Sequence, residues 1–129
     1  MKIGHKRFAK VEVDKARDIL HAVFPLAFAG QGEQKQPLKI KIDKDLAVHF
    51  PQIDRRLLKA ALHNYVSGPK YLANIIVGAS RIDLQGVFAG VVTSGHEEHA
   101  KARLAHLSAK WAAIDKAKAA KRAAKKAEA

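Results

Sequence analysis

Cysteine is absent from this chain, which excludes a disulfide framework and any thiolate metal centre and suits a reducing compartment. No apolar run approaches the ~20 residues a membrane-spanning helix needs. The opening MKIGHKRFAK carries charge but no apolar stretch behind it, so it does not read as a secretory signal. Acidic residues are scarce, 12 against 24 Lys and Arg, for a net charge of +12 and a pI near 10.1. A surface so one-sided in charge points to a polyanionic partner rather than to an ordinary small-molecule enzyme. What is present is 129 residues that are 48% hydrophobic, enough for one domain with a core and too few for two. The expectation is a cytoplasmic protein, monomeric and off the membrane.

The positive charge is unevenly placed. Segment 37–70 holds seven basic and three acidic residues, and 110–129 holds seven and two, whereas 71–109 is balanced. The segment from Lys110 to Ala129 is nearly all Ala and Lys, a composition that fits a solubilising helix or an arm that tracks phosphates. Residues 1–12 read as a basic N-terminal arm, 13–109 as the folded domain and 110–129 as a tail.

Within the domain, Val13, Ala16, Leu20, Val23 and Phe24 recur at helical spacing until Pro25, which predicts an amphipathic helix over 13–24. An exposed loop follows over 29–36. Leu38, Ile40 and Ile42 alternate with Lys39 and Lys41, the period of an extended segment with one buried and one cationic face. Asp43 is placed to cap a short helix ending before Pro51, and Asp54 to cap a second over 55–66. In that second helix Leu58, Ala61, Leu62 and Tyr65 form the buried stripe. Ser67 is placed to cap a further short helix from Pro69 to about Ile76. Ser80 to Leu84, the turn residues Gln85-Gly86 and Val87 to Val92 read as a β-hairpin, with Ile82 and Leu84 facing the core and Arg81 and Asp83 facing away. Ser94-Gly95-His96-Glu97 has the spacing of a capping box opening a last helix through Leu104, Leu107 and Trp111 into the tail. The fold class is therefore α+β, mostly helical, with about five helices, a β-hairpin and a basic C-terminal helical tail.

Candidates for chemistry are few. His96-Glu97-Glu98-His99 resembles a zincin motif superficially, but its histidines are three apart where two on one face must be four apart. Nucleophile contexts, Gly-rich phosphate loops and carboxylate pairs are missing, so neither catalysis nor a cofactor or metal is expected. Asp83 reads as an orienting group for Arg81 or a backbone amide. Lys39, Lys41, Arg55, Lys59, Lys70, Tyr71 and Arg81 could instead converge on one aromatic ring. Such a set binds RNA by attraction to phosphates with stacking or hydrogen bonding to bases and 2′-hydroxyls. The plain alternative is a solvated basic face.

Phe24-Pro25-Leu26-Ala27-Phe28, Pro37-Leu38-Lys39-Ile40, Asp45-Leu46, Leu58 to Leu62, Tyr65, Tyr71-Leu72 and Gly78 to Gly86 stand in this order, continued by Ala89-Gly90 and Val92-Thr93. In order and spacing this resembles the FinO/ProQ domain over about residues 13–107. The resemblance implies a compact domain with a concave basic face that binds RNA hairpins of terminator type and their single-stranded U-rich 3′ ends, in small RNAs and mRNAs, as an RNA chaperone in post-transcriptional regulation. It also implies that Tyr71 and Arg81 line a pocket for the RNA 3′ terminus, with Lys39, Arg55, Lys59 and Lys70 around it.

The chain departs from the family pattern at Lys41, where glycine is common, and at Lys59 and Lys70, where arginine is frequent. Charge is kept there, but bidentate geometry is lost. Gln36 and Gln85 replace a frequent base and a frequent acid, and the linker and small β domain of larger members are not expected here. The competing reading is a non-specific basic DNA-binding or nucleoid-associated protein, with 55–76 imagined as a helix–turn–helix.

Overall fold

The computed structural model describes residues 8–30 and 32–128. Its elements in chain order are α1 (Lys10–Val23), α2 (Ile42–His49), α3 (Arg55–Val66), α4 (Pro69–Leu72), β1 (Ser80–Ile82), β2 (Phe88–Val91) and α5 (Ser94–Glu128). The mostly helical α+β architecture with a single hairpin is as the hydrophobic periods predict. The arm expected over 1–12 falls mainly outside the described residues, and α1 opens at Lys10, three residues before the expected start.

The core forms where the apolar stripes of the helices meet. Ala16 and Leu20 of α1 and Leu58, Ala61 and Tyr65 of α3 are buried, and α1 packs along α3. Leu46 of α2 and Phe28 of the α1–α2 connection fill the space beneath. Edge-to-face rings tie the layers together: Phe24 against Phe50 at 5.9 Å and Phe28 against Tyr65 at 5.1 Å between centroids, geometries favoured by the ring quadrupole.

Several local expectations are corrected by packing. Ile40 does not join Leu38 and Ile42 on a buried face; it is 53% exposed. The extended run ends after Leu38, which bridges Ile82 in parallel, and the chain then reverses through Lys41 at φ 65°. Lys39 and Lys41 therefore do not lie on one strand face. Lys41, and not Asp43, is the residue preceding α2, and Asp43 sits in the first helical turn. Asp54 does cap α3, accepting from the Arg56 amide at 2.8 Å. Ser67 ends α3 instead of capping α4, which stops after four residues with Tyr71 and Leu72 buried. A second helix that short and inward-facing cannot serve as the recognition helix of a helix–turn–helix.

The hairpin is present, with strands shorter than expected. Gly86 takes φ 77°, and the Asp83 carboxylate accepts from the amides of Gln85 (2.9 Å) and Val87 (3.0 Å), closing the turn. Ser80 pairs with Val91 and Ile82 with Phe88, so Arg81 faces two residues, Ala89 and Gly90: a β-bulge. Ile82 and Leu84 are buried as expected, but Arg81 is buried too. Simple alternation fails because the Arg81 side is covered as well: its guanidinium is closed in by the Leu38 carbonyl, on the segment that pairs along the edge of β1, and by His96 at the start of α5. At that start Thr93, not Ser94, supplies the capping oxygen, accepting from the His96 amide at 3.3 Å. Glu97 reaches the Val77 amide at 3.0 Å and Lys101 at 3.1 Å. Beyond Leu107 α5 runs free of the body, its side chains exposed through Ala127.

Candidate nucleic-acid interface

The Leu38 peptide is the centre of the site. Its neighbours join it to β1 by backbone bonds, Ile82 N–H to Pro37 O and Lys39 N–H to Ile82 O, which leaves the Leu38 amide and carbonyl to side chains. The amide donates to the Tyr71 hydroxyl at 3.0 Å, and the carbonyl accepts from Arg81 Nη1 at 2.7 Å. Tyr71 and Arg81, ten positions apart, thus meet on the backbone of one residue.

Arg81 carries the electrostatic weight. It is 7% exposed, forms no ion pair among the described residues, and leaves Nε buried without a partner. Its Nη2 donates to His96 Nδ1 at 3.1 Å, an arrangement that requires a lone pair on Nδ1 and so puts the imidazole proton on Nε2. A buried guanidinium without a carboxylate is costly to desolvate. Its site is correspondingly suited to an anion that would supply the missing charge.

Arg81 and Tyr71 line an open cleft of about 450 Å³, with Lys39 and Lys41 on one side and His99 and Arg103 of α5 on the other. Lys39 is partly committed to Asp45, at 2.9 Å, whereas Lys41 is exposed and makes no ion pair among the described residues. Arg55 and Lys59 do not line the cleft. They lie on the α3 stripe that continues through Leu62 and Val66, which do, so they extend its cationic edge along the helix. Lys70 is not brought to this cleft: it lines a separate one on the side of Tyr65. Of the seven expected residues, four therefore meet directly, two flank them and one stands apart.

His96, His99 and Arg103 were missed by the sequence reading, which weighed the two histidines only as metal ligands. Among the described residues no cluster of potential ligands could hold a metal. Their signal was helical spacing: positions 96, 99 and 103 fall on one stripe of α5 that lines the cleft.

Fold and site together define a small α+β domain built around a concave cationic cleft. The family model described as ProQ/FINO matches residues 11–127, and the chain belongs to that family. It is 44% identical over 90 residues to the RNA chaperone ProQ of Vibrio vulnificus, covering 67% of this chain and 43% of that protein. It is 42% identical over 106 residues to the RNA chaperone ProQ of Haemophilus influenzae, covering 80% and 52%. The chain thus spans about half the length of the curated relatives it matches. Among solved structures, it resembles a FinO-like RNA chaperone from Neisseria meningitidis (28% identity, TM-score 0.61, 72% of this chain and 94% of that one). It also resembles a ProQ homolog from Legionella pneumophila (29% identity, TM-score 0.63, 81% and 88%). Among the described residues no helix is long and apolar enough to cross a membrane.

Proposed function

We propose that this domain is an RNA chaperone module, not an enzyme, that acts in the cytoplasm on hairpins of terminator type with single-stranded U-rich 3′ ends. The observation that carries the reading is the buried, uncompensated Arg81 at the wall of an open cleft, held by the same Leu38 peptide that holds Tyr71. A phosphate near the RNA 3′ end would supply the counter-charge. Lys41, Arg103 and the α3 stripe would follow the adjoining backbone, and the tail of α5 would add non-specific attraction. A-form duplexes offer shape, phosphates and 2′-hydroxyls more than base edges, so selectivity should lie in hairpin and end structure. The relatives named as RNA chaperones support the same reading.

The test is competition binding with three probes: a U-tailed RNA hairpin with a free 3′-hydroxyl, the same hairpin ending in a 3′-phosphate, and duplex DNA of the same sequence. The free-ended hairpin should win against both. Equal affinity for the two hairpin ends would remove the 3′-end pocket and leave a general basic RNA-binding face. Equal affinity for DNA would favour the nucleoid-protein alternative.

A further inference from the structure

Behind the Tyr71 cleft, across the Tyr65–Tyr71 ring pair (5.9 Å between centroids), lies a second and larger cleft of about 650 Å³ between α1 and the loop residues Ala29, Gly30, Gly32, Glu33 and Lys35. Four cations line it, Lys10 and Arg17 of α1, Lys35 of the loop and Lys70 of α4, and the last three come from three parts of the chain. Lys35 Nζ stands 4.5 Å from the Tyr65 ring centroid and Arg17 Cζ 5.4 Å from it. The Tyr65 hydroxyl is occupied by the Ala29 amide at 2.9 Å, and burial raises its pKa, so the phenol stays neutral and does not neutralise its neighbours. Arg17 is fixed by a 2.8 Å bond from Nη1 to Asn64 Oδ1, a neutral partner that leaves its charge unmatched.

The cleft also contains Asp14, Asp18 and Glu33, yet none of these forms an ion pair with the three cations among the described residues. Burial first, then Arg17 and Lys70, pulls the Lys35 pKa below its usual value. Arg17 and Lys70 are thus the charges that act on the Lys35 ammonium beside its burial. Like charges held together in a partly desolvated cleft repel, and an anion between them would relieve that cost.

We propose that the Arg17–Lys35–Lys70 cleft is a second phosphodiester site, taking the backbone of an RNA segment other than the one in the Tyr71 cleft, so that one domain holds two RNA strands. The inference rests on the RNA-binding reading for the nature of the anion. Lys70 belongs to this second site, and the adjacent Tyr71 to the first.

The test is NMR on the labelled full chain. The protein is first saturated with a U-tailed hairpin, then titrated with a short single-stranded RNA ending in a 3′-phosphate, and separately with inorganic phosphate. The short RNA should shift the Lys35 side-chain and Ala29 amide signals while the hairpin stays bound. Lys35→Gln and Arg17→Gln should each weaken the short RNA about tenfold and leave hairpin affinity within about twofold. Lys35→Arg should retain both. Displacement of the hairpin without a shift at Lys35 would overturn the proposal, as would equal short-RNA binding by wild type and the glutamine variants. So would phosphate that shifts these signals where RNA does not. Failure of the hairpin to bind, with Lys35 still answering the short RNA, would overturn only the reading of the first cleft.

Discussion

Tyr71→Phe removes one oxygen and nothing else, which makes it the most discriminating perturbation of the Leu38 peptide. In wild type the Leu38 amide donates to the Tyr71 hydroxyl at 3.0 Å, and both residues are buried, at 2% and 7% exposure. The phenylalanine ring fills the same space, so no cavity forms, but the amide is left without its acceptor. An unsatisfied buried donor costs ~1–3 kcal/mol, which for a domain of this size corresponds to a melting temperature lower by roughly 5–15 °C. Circular dichroism melts give the stability term and fluorescence anisotropy with a U-tailed hairpin, well below the melt, gives the binding term. Arg81→Met is the partner experiment. Because Arg81 has no counter-ion, removing it should cost less stability than breaking a buried ion pair, yet it should lower RNA affinity by about one to two decades, ~1.5–3 kcal/mol for a charge-assisted bond. The two substitutions act on the backbone of one residue, so the double variant should show a stability coupling of about 0.5–3 kcal/mol. If Tyr71→Phe left the melt unchanged while RNA binding fell tenfold, the hydroxyl would be spent on the ligand and not on Leu38, and the assignment of its bond would be wrong.

Lys41 holds a left-handed backbone, φ 65°, that costs a non-glycine residue ~1–2 kcal/mol. Lys41→Gly should raise the melting temperature modestly, since glycine's added freedom in the unfolded chain offsets part of the relief, while weakening RNA. A gain in both would show that the lysine does not contact the ligand. Gly86→Val places a β-branched residue at φ 77° with its Cβ 2.9 Å from that of Leu26. It should destabilise the fold by about 2 kcal/mol or more, and an unchanged melt would mean that the turn rearranges freely. The Glu97 pKa is lowered by its hydrogen bond from the Val77 amide and then by Lys101. Its stabilising contribution is thus present above the ordinary value of 4.5 and is lost as pH falls through the lower folded value. Glu97→Gln should flatten the acid side of the melting profile, which a pH series of melts would reveal. Deleting 112–129 should weaken many RNAs alike and lower the slope of log affinity against log salt; a change in preference among RNAs would show that the tail reads them.

Periodicity in the sequence was sufficient for α1 and α3 because each has one face to bury, and the turn residues were sufficient for the hairpin. Leu58, Ala61 and Tyr65 are inside for the reason that their spacing predicts, and Gly86 marks the turn because the backbone there needs positive φ. The order of separated motifs was likewise sufficient to point to the family, and the net charge to a polyanionic partner. The environment of individual cations was not legible in this way. Whether Arg81 lies on a surface or inside depends on what covers the second face of β1, and that cover comes from Leu38, 43 positions earlier, and His96, 15 later. Lys70 and Tyr71 are neighbours in sequence but line different clefts, since successive side chains on a helix diverge by about 100° and α3 and α4 pack a ring pair between them. Local chemistry fixes which face of an element is apolar, while only long-range packing decides which cations that burial brings together.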